Sequence, residues 1–155
     1  MRPRRKEWTL LVPRPLPEVW DFFSRPQNLE KMTPKEVSFH ILSPDADQEM
    51  YPGMIIQYTI APLLGIPMHW VTEITQVKPQ EFFIDDQRVG PYGLWHHQHH
   101  FRAVDGGTEM KDILHYQVPF GPLGSLANAL FVERMVDQIF HYREEAAAQV
   151  FGRAD

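Results

Sequence analysis

The chain has 155 residues, 43% of them hydrophobic, and a formal net charge of −5. This composition is typical of one globular domain rather than a disordered chain, and its acidic balance argues against a nucleic-acid-binding face. The sequence contains no cysteine, which excludes thiolate catalysis, iron–sulfur clusters and cysteine-ligated zinc. We therefore expect a single cytoplasmic domain over residues 1–155, with residues 1–6 as a flexible basic terminus.

Prolines divide most of the chain into short elements. The sequence has 14 prolines, and none follows Pro122. Because proline interrupts helix interiors and central strands, a long helical bundle is excluded for residues 1–91. Alternating apolar residues predict a strand over 7–12, and helical spacing predicts a short helix over 15–24 with one or two further turns over 27–33. Six more strands are predicted, over 36–42, 54–60, 68–77, 81–87, 93–102 and 108–118. The inward face of strand 81–87 is left unassigned.

The proline-free C-terminal segment predicts a long amphipathic helix over 131–150. Its apolar residues, beginning with Phe131, fall on one arc and its charged residues on the other. A different arc holds three preceding apolar residues: Leu123, Ala127 and Leu130. We therefore expect a bend or a change of packing partner near Asn128. Six consecutive antiparallel strands with one apolar face need a cover, and among the predicted elements only this helix is long enough.

An apolar loop over residues 62–67 stands where polar residues are expected. The sequence leaves three roles open for this loop: it packs on the end of its own domain, it gates the mouth of a cavity, or it contacts a membrane or a partner. The apolar stretch that contains it, Ile60 to Met68, is far shorter than the ~20 residues of a membrane span, so we expect no stable membrane insertion.

Histidines alternate along the predicted strand 93–102. The inward side chains are Trp95, His97, His99 and Phe101; the outward ones are His96, Gln98, His100 and Arg102. On strand 108–118 the inward face includes Asp112. A hairpin turn at 103–106 pairs His97 with Asp112, and a shift of two residues moves Asp112 opposite His99 or Trp95. In each register an inward carboxylate lies near an inward histidine, and because a buried carboxylate without a partner is costly, we expect it to be hydrogen-bonded.

Several local patterns resemble the START-like (SRPBCC) superfamily. They are Glu18–Phe23, Asn28-Leu29, Pro34, Gly53 with Tyr58, Trp70 with Ile74, Asp86-Gln87, Gly90–Tyr92, the W-x-H-x-H-x-F run from Trp95 to Phe101, Thr108, Asp112, Tyr116, Pro119, Gly121, Phe140, Tyr142 and Arg143. The resemblance covers about residues 8–151 and is closest to bacterial polyketide cyclase/dehydrase-like and coenzyme-Q-binding-like members. It implies an α+β helix-grip fold: a seven-stranded antiparallel sheet wrapped around a long C-terminal helix, with one or two short helices after the first strand.

The resemblance also implies a cavity between sheet and helix. We expect it to bind a small hydrophobic molecule (lipid, quinone, polyketide-like or other ring compound), as in a carrier or sensor, and we leave the oligomeric state open. The expected ligand-binding residues are Tyr58, Trp70, Trp95, His97, His99, Asp112, Tyr116, Met135, Ile139 and Arg143. Two other functions stay open: an aromatase/cyclase or dehydrase-type enzyme with catalytic candidates His97, His99 and Asp112, and a regulator of a partner macromolecule.

The polar residues also have a structural interpretation. In this interpretation the histidines and Asp112 form a buried, hydrogen-bonded cluster that binds no ligand. Arg143 extends its charged head to solvent or pairs with an acidic residue at the sheet edge, rather than binding a ligand carboxylate or phosphate. Metal binding is a further alternative, because His97 and His99 project on one side with a carboxylate, as a zinc site requires. Their i, i+2 spacing on a strand is weak evidence for it, and the outward His96 and His100 are poor partners. We therefore expect neither a metal nor a cofactor.

Overall fold

The structure is a computed structural model that describes residues 2–61 and 65–153. Its first part comprises β1 (Arg4–Val12), α1 (Leu16–Phe23) and two 3₁₀ segments (Pro26–Met32 and Lys35–Val37). The strands that follow are β2 (His40–Ile41), β3 (Ile55–Ile60), β4 (Met68–Lys78), β5 (Phe82–Val89), β6 (Leu94–Val104) and β7 (Gly107–Gln117). The C-terminal part comprises α2 (Gly121–Ala127), a π-helical turn (Asn128–Val132) and α3 (Glu133–Phe151).

The strands form one antiparallel sheet in the order β1-β7-β6-β5-β4-β3-β2. Their alternating apolar side chains line the face that α1 and α3 cover. Val19 of α1, Ile74 of β4 and Ala147 of α3 belong to the same buried cluster, which shows that sheet and helices share one core. The continuous C-terminal helical region is 31 residues long. This is the helix-grip fold that the sequence predicts.

The two edge strands differ from their predicted bounds. β1 begins at Arg4, so part of the segment predicted to be a flexible terminus is in the sheet, where Arg4 pairs with Tyr116 of β7. The Lys6 ammonium also lies 2.6 Å from a carboxylate oxygen of Asp137 in α3. At the other edge, strand 36–42 shrinks to the two residues of β2, because Ser38 adopts a left-handed conformation (φ 46°) that interrupts the extended chain.

The change expected near Asn128 takes the form of the π-helical turn. A π turn inserts an extra residue into a helix and so rotates the residues on either side of it relative to each other. Phe131, predicted on the apolar face, is instead 63% exposed, and Leu123 and Leu130 are exposed as well. Asn128 is fully buried, and its side-chain amide has no hydrogen-bond partner within the described residues.

The predicted apolar loop over 62–67 lies partly outside the described residues, which resume at Gly65. Ile66 is 58% exposed. Within the described ranges, no helix is both long enough and apolar enough to cross a membrane.

Candidate functional site

The alternation predicted along β6 places two histidines inside the domain. His97 and His99 are 5% and 4% exposed, whereas His96 and His100 lie on the outer face of the sheet and are partly exposed. The inner pair is close: their ring centroids are 3.7 Å apart. The Phe83 ring stacks on His99 at 4.1 Å and limits its movement.

The β6–β7 hairpin has a two-residue turn at Asp105-Gly106, which sets the register of the inward residues. Asp112 pairs with His99 and not with His97. The observed register is therefore shifted by two residues from the predicted hairpin that pairs His97 with Asp112, and it is one of the two shifted registers that the sequence left open. A shift of two preserves the faces of both strands, which is why the inward set is unchanged. Asp112 still reaches both histidines.

Asp112 is the hub of a buried hydrogen-bonded cluster. Its Oδ1 atom accepts a hydrogen bond from His97 Nε2 at 2.9 Å and lies 3.1 Å from His99 Nδ1. Arg143 of α3 brings its Nη1 within 3.3 Å of the same oxygen. Three donors therefore converge on one carboxylate oxygen, and the side chain of Asp112 is only 8% exposed.

Asp85 of β5 is a second carboxylate in the cluster, and the sequence pattern did not reveal it. β5 pairs Asp85 with His97, and its Oδ2 atom lies 2.6 Å from His99 Nε2 and 3.6 Å from His97 Nδ1. The inward face of this strand is ambiguous in the sequence because Phe83 and Ile84 are both apolar, and both are buried. Had Phe83 been assigned inward, the two-residue period would have placed Asp85 beside it.

The cluster divides into charged and neutral members. Burial opposes ionisation of Asp112, yet the Arg143 guanidinium and the hydrogen bonds from both histidines hold the pKa of Asp112 well below its ordinary value. Burial likewise opposes ionisation of Asp85 and is the largest single effect, but the hydrogen bond from His99 and the charges of His97, His99 and Arg143 together outweigh it and lower the pKa of Asp85. Two buried carboxylates are therefore ionised.

The two histidines shift in opposite directions. Burial disfavours a charged His99, but its hydrogen bonds to Asp112 and Asp85 outweigh this and raise its pKa. Burial and the neighbouring charge of His99 lower the pKa of His97. The raised pKa favours a charged His99 and the lowered pKa favours a neutral His97. When His99 is protonated, two carboxylates face two cations, His99 and Arg143, and the cluster is close to neutral.

Arg143 forms a buried ion pair in this structure. Its side chain is 11% exposed, and its partner is Asp112 in the sheet interior, one strand in from the edge, rather than a sheet-edge acid. The guanidinium also packs over the Phe23 ring, 5.2 Å from its centroid. Its Nε atom is buried without a hydrogen-bond partner in the described part of the chain.

A cavity of about 140 Å³ lies between the sheet and the C-terminal helix. Predicted ligand-binding residues that line it are Tyr58, Trp70, Trp95, His97, His99, Met135, Ile139 and Arg143. Asp85 lines it as well, while Asp112 lies behind the histidines and borders a separate groove of about 390 Å³ between β1 and α3. Most of the remaining wall is apolar or aromatic. The cluster thus forms a polar end of an otherwise apolar cavity.

Tyr116 does not line this cavity, although the sequence pattern predicts that it binds ligand. It is completely buried in a neighbouring apolar cluster with Leu114, Val136 and Phe140. Trp95 and Tyr92 stand between Tyr116 and the cavity: both line the cavity, and both rings contact the Tyr116 ring. Tyr116 therefore supports the wall from behind.

Fold and site define a helix-grip domain with a cavity between sheet and helix and a buried polar cluster at one end of it. The sequence matches the family described as "Polyketide cyclase / dehydrase and lipid transport" over residues 12–141. Because that match spans most of the chain, the protein belongs to this family, which is SRPBCC-like as the sequence predicts. No curated protein matches it in sequence.

Solved structures share the fold at low sequence identity. The Zhui aromatase/cyclase from Streptomyces sp. R1128 is 15% identical with a TM-score of 0.75, covering 97% of this chain and 94% of that one. Protein CV1439 from Chromobacterium violaceum is 12% identical with a TM-score of 0.73, covering 96% and 97%. Ara h 8.0201 is 16% identical with a TM-score of 0.59, covering 95% and 99%. At these identities the likeness shows the fold alone.

Proposed function

We propose that this protein binds a small, neutral, mostly hydrophobic molecule in the cavity between sheet and helix, as a carrier or sensor. The observation that carries the proposal is an apolar cavity with one polar end. Ligand sites are characteristically apolar with a few convergent polar groups that fix orientation. The family's description names lipid transport beside cyclase and dehydrase activity, which is consistent with a bound hydrophobic molecule.

The cavity volume favours a ring compound over a long acyl chain. An apolar cavity of roughly 150 Å³ holds a molecule the size of benzene, and drug-sized ligands occupy ~300–1,000 Å³. At about 140 Å³ this cavity suits one ring without rearrangement. Met32, Met50 and Met135 line it, and flexible methionine side chains allow it to widen for a second ring.

The charge balance of the cluster favours a neutral ligand. A ligand carboxylate or phosphate would add an unpaired negative charge to a buried site where Arg143 is already paired with Asp112. A hydroxyl or carbonyl group adds no charge. A hydroxyl also donates to the cavity-lining Asp85 or to His97 Nδ1.

Displacement of a neutral fluorescent probe tests this proposal. 1-Naphthylamine, a neutral two-ring fluorophore, is titrated into purified protein and then displaced by 2-naphthol, by its sulfonate and by palmitate. We expect 2-naphthol to displace the probe best. Met135→Trp reduces the cavity volume and should weaken probe binding by about tenfold or more, which is ~1.4 kcal/mol. Gln149→Trp, on the exposed side of the same helix, is the matched control.

Probe binding that survives Met135→Trp unchanged contradicts a site in this cavity. Displacement by palmitate or by the sulfonate in preference to 2-naphthol contradicts a small neutral ligand. Extraction of the purified protein with organic solvent, followed by mass spectrometry, provides an independent identification of any molecule that copurifies.

An enzyme of the cyclase or dehydrase type is the second candidate, and one feature of the cluster favours it. In a neutral His97 whose Nε2 donates to Asp112, Nδ1 is the unprotonated nitrogen. This Nδ1 lies on the same side of the ring as Asp85, which lines the cavity. A base in that position removes a proton from the carbon next to a substrate carbonyl, and Asp112 stabilises the imidazolium that forms. His97→Gln should then abolish turnover and leave probe binding within about threefold of wild type. Equal loss of both contradicts a catalytic role.

The cellular context stays a prediction. The absence of cysteine is consistent with a cytoplasmic location.

A further inference from the structure

We propose that Asp85, His97 and His99 bind a divalent transition-metal ion of the zinc or ferrous class at the cavity wall. This inference goes beyond ligand binding, and its tests use no organic molecule. A failure here therefore leaves the displacement experiment unaffected.

Three candidate ligand atoms already converge on one point. One candidate ligand atom from each of Asp85, His97 and His99 lies within 4.8 Å of the other two. Two of the separations, both measured to Asp85 Oδ2, are 3.6 Å for His97 Nδ1 and 2.6 Å for His99 Nε2. Tetrahedral zinc, with bonds of about 2.0–2.1 Å, holds its ligand atoms roughly 3.3 Å apart, so each of these two separations needs to change by less than ~1 Å to match it.

The opposite nitrogen of each ring is already held by a carboxylate. Asp112 Oδ1 lies 2.9 Å from His97 Nε2 and 3.1 Å from His99 Nδ1. Metal-bound histidines characteristically donate their second N–H to such a carboxylate, which fixes the tautomer and the ring orientation. One aspartate performs this for both rings. Asp85 and Asp112 therefore stand on opposite sides of the histidine pair, one as a metal ligand and the other as its support.

Arg143 is compatible with this arrangement. Its Nη2 approaches His99 at Nδ1, the ring nitrogen opposite the proposed ligand atom, and its Nη1 pairs with Asp112. In the metal-free protein a proton occupies the short His99–Asp85 contact. The metal replaces that proton, which leaves to solvent.

The site has an open side. Asp85, His97 and His99 all line the cavity, so the remaining coordination positions face its interior, where water or a ligand oxygen completes them. Two histidines, one carboxylate and an open position are the donor set of catalytic zinc centres and of non-haem iron centres. A metal at His97 Nδ1 occupies the lone pair that the enzyme candidate needs as a base, so the two roles exclude each other.

The sequence expectation of no metal rested on the weak i, i+2 spacing of His97 and His99 and on the outward His96 and His100 as poor partners, and it did not include Asp85. Asp85, from the neighbouring strand, supplies the third ligand. The same alternation also supplies matched controls: Asp86 and His96 are the adjacent residues on the outer face, where His96 Nδ1 lies 2.6 Å from Asp86 Oδ1.

Metal binding to chelator-treated protein tests the proposal. Zn²⁺ is measured by equilibrium dialysis, and Co²⁺ by its visible absorption. We expect one equivalent in wild type, bound at least about tenfold more weakly in Asp85→Asn. Loss of the supporting carboxylate in Asp112→Asn should weaken binding by ~10–100-fold. Asp86→Asn and the double variant His96→Gln/His100→Gln should bind like wild type.

A wild-type readout does not depend on any variant folding. Co²⁺ should broaden the ring signals of His97 and His99 in NMR spectra before those of the outer histidines. Three results overturn the proposal: no stoichiometric binding by wild type, binding that survives Asp85→Asn, or binding that disappears with the outer histidines.

Discussion

Replacing Asp112 with asparagine removes the charge at the centre of the buried cluster while nearly preserving its shape. Arg143 loses its only carboxylate partner within 4 Å in the described residues, and His99 keeps only Asp85. Both cationic side chains are buried, 11% and 4% exposed. Removing one partner of a buried ion pair costs ~3–5 kcal/mol, because the remaining charge is left uncompensated. We expect the free energy of unfolding of Asp112→Asn to fall by about this amount.

Urea denaturation of chelator-treated protein at pH 7 measures this difference. Asp86→Asn is the control: it removes a carboxylate bound to His96 on the outer face, where the side chains are 22% and 31% exposed, and should cost ~0–1 kcal/mol. If Asp112→Asn costs no more than this control, our account of a coupled buried network is wrong.

The pH dependence provides a second check on Asp112. Its native pKa lies well below the ordinary carboxyl value of 3.8. The stabilisation from its charge is therefore present above the pH at which an unfolded aspartate titrates, and it is lost as the pH falls through the native pKa. The difference between wild type and Asp112→Asn should persist at neutral pH and shrink below about pH 3.8. A difference that instead grows in acid contradicts the assignment.

Three further predictions concern the core, a turn and a titration. Phe140 is 6% exposed, and its ring stacks on the Trp8 indole of β1 at a centroid distance of 3.7 Å. Phe140→Ala should therefore lower the free energy of unfolding by ~3–5 kcal/mol. In the same urea experiment the exposed Phe131→Ala should change it by ~0.5 kcal/mol or less. A Cβ at Gly107 would clash with the backbone oxygen of Val12, whereas no atom lies within 4 Å of a Cβ at Gly106. Gly107→Ala should therefore lower the thermal melting temperature more than Gly106→Ala, and equal effects would contradict the close approach. In metal-free protein, NMR titration should place the pKa of His99 above 6.5. The stability that comes from the charge of His99 should be lost as the pH rises through this native pKa. A pKa at or below 6.5 argues against two carboxylate partners for His99.

Local periodicity in the sequence is enough to determine which side chains of the strands face inward and where the long helix lies. Side chains alternate between the faces of a strand, so the inward positions of β6 and β7 follow from the two-residue period alone. That period is sufficient to place His97, His99 and Asp112 on the inner face of the sheet. Helical periodicity likewise located α3 and the discontinuity near Asn128.

Only the tertiary structure decided which of these inward groups touch. A register shift of two leaves the face of every side chain unchanged, so periodicity cannot distinguish a His97–Asp112 pairing from the observed His99–Asp112 pairing. The sequence did not predict that Asp85 faces inward, because Phe83 and Ile84 before it are both apolar and both buried, so this strand lacks the alternation that indicates its inward face.

The ion pair of Arg143 with Asp112 joins residues 31 positions apart in the chain, on a helix and on a strand. Nothing local in the sequence specifies that distance, because it depends on how α3 lies across the sheet. Local periodicity therefore determined the inward chemical groups, whereas strand register and helix docking decided that two histidines, two carboxylates and an arginine form one cluster.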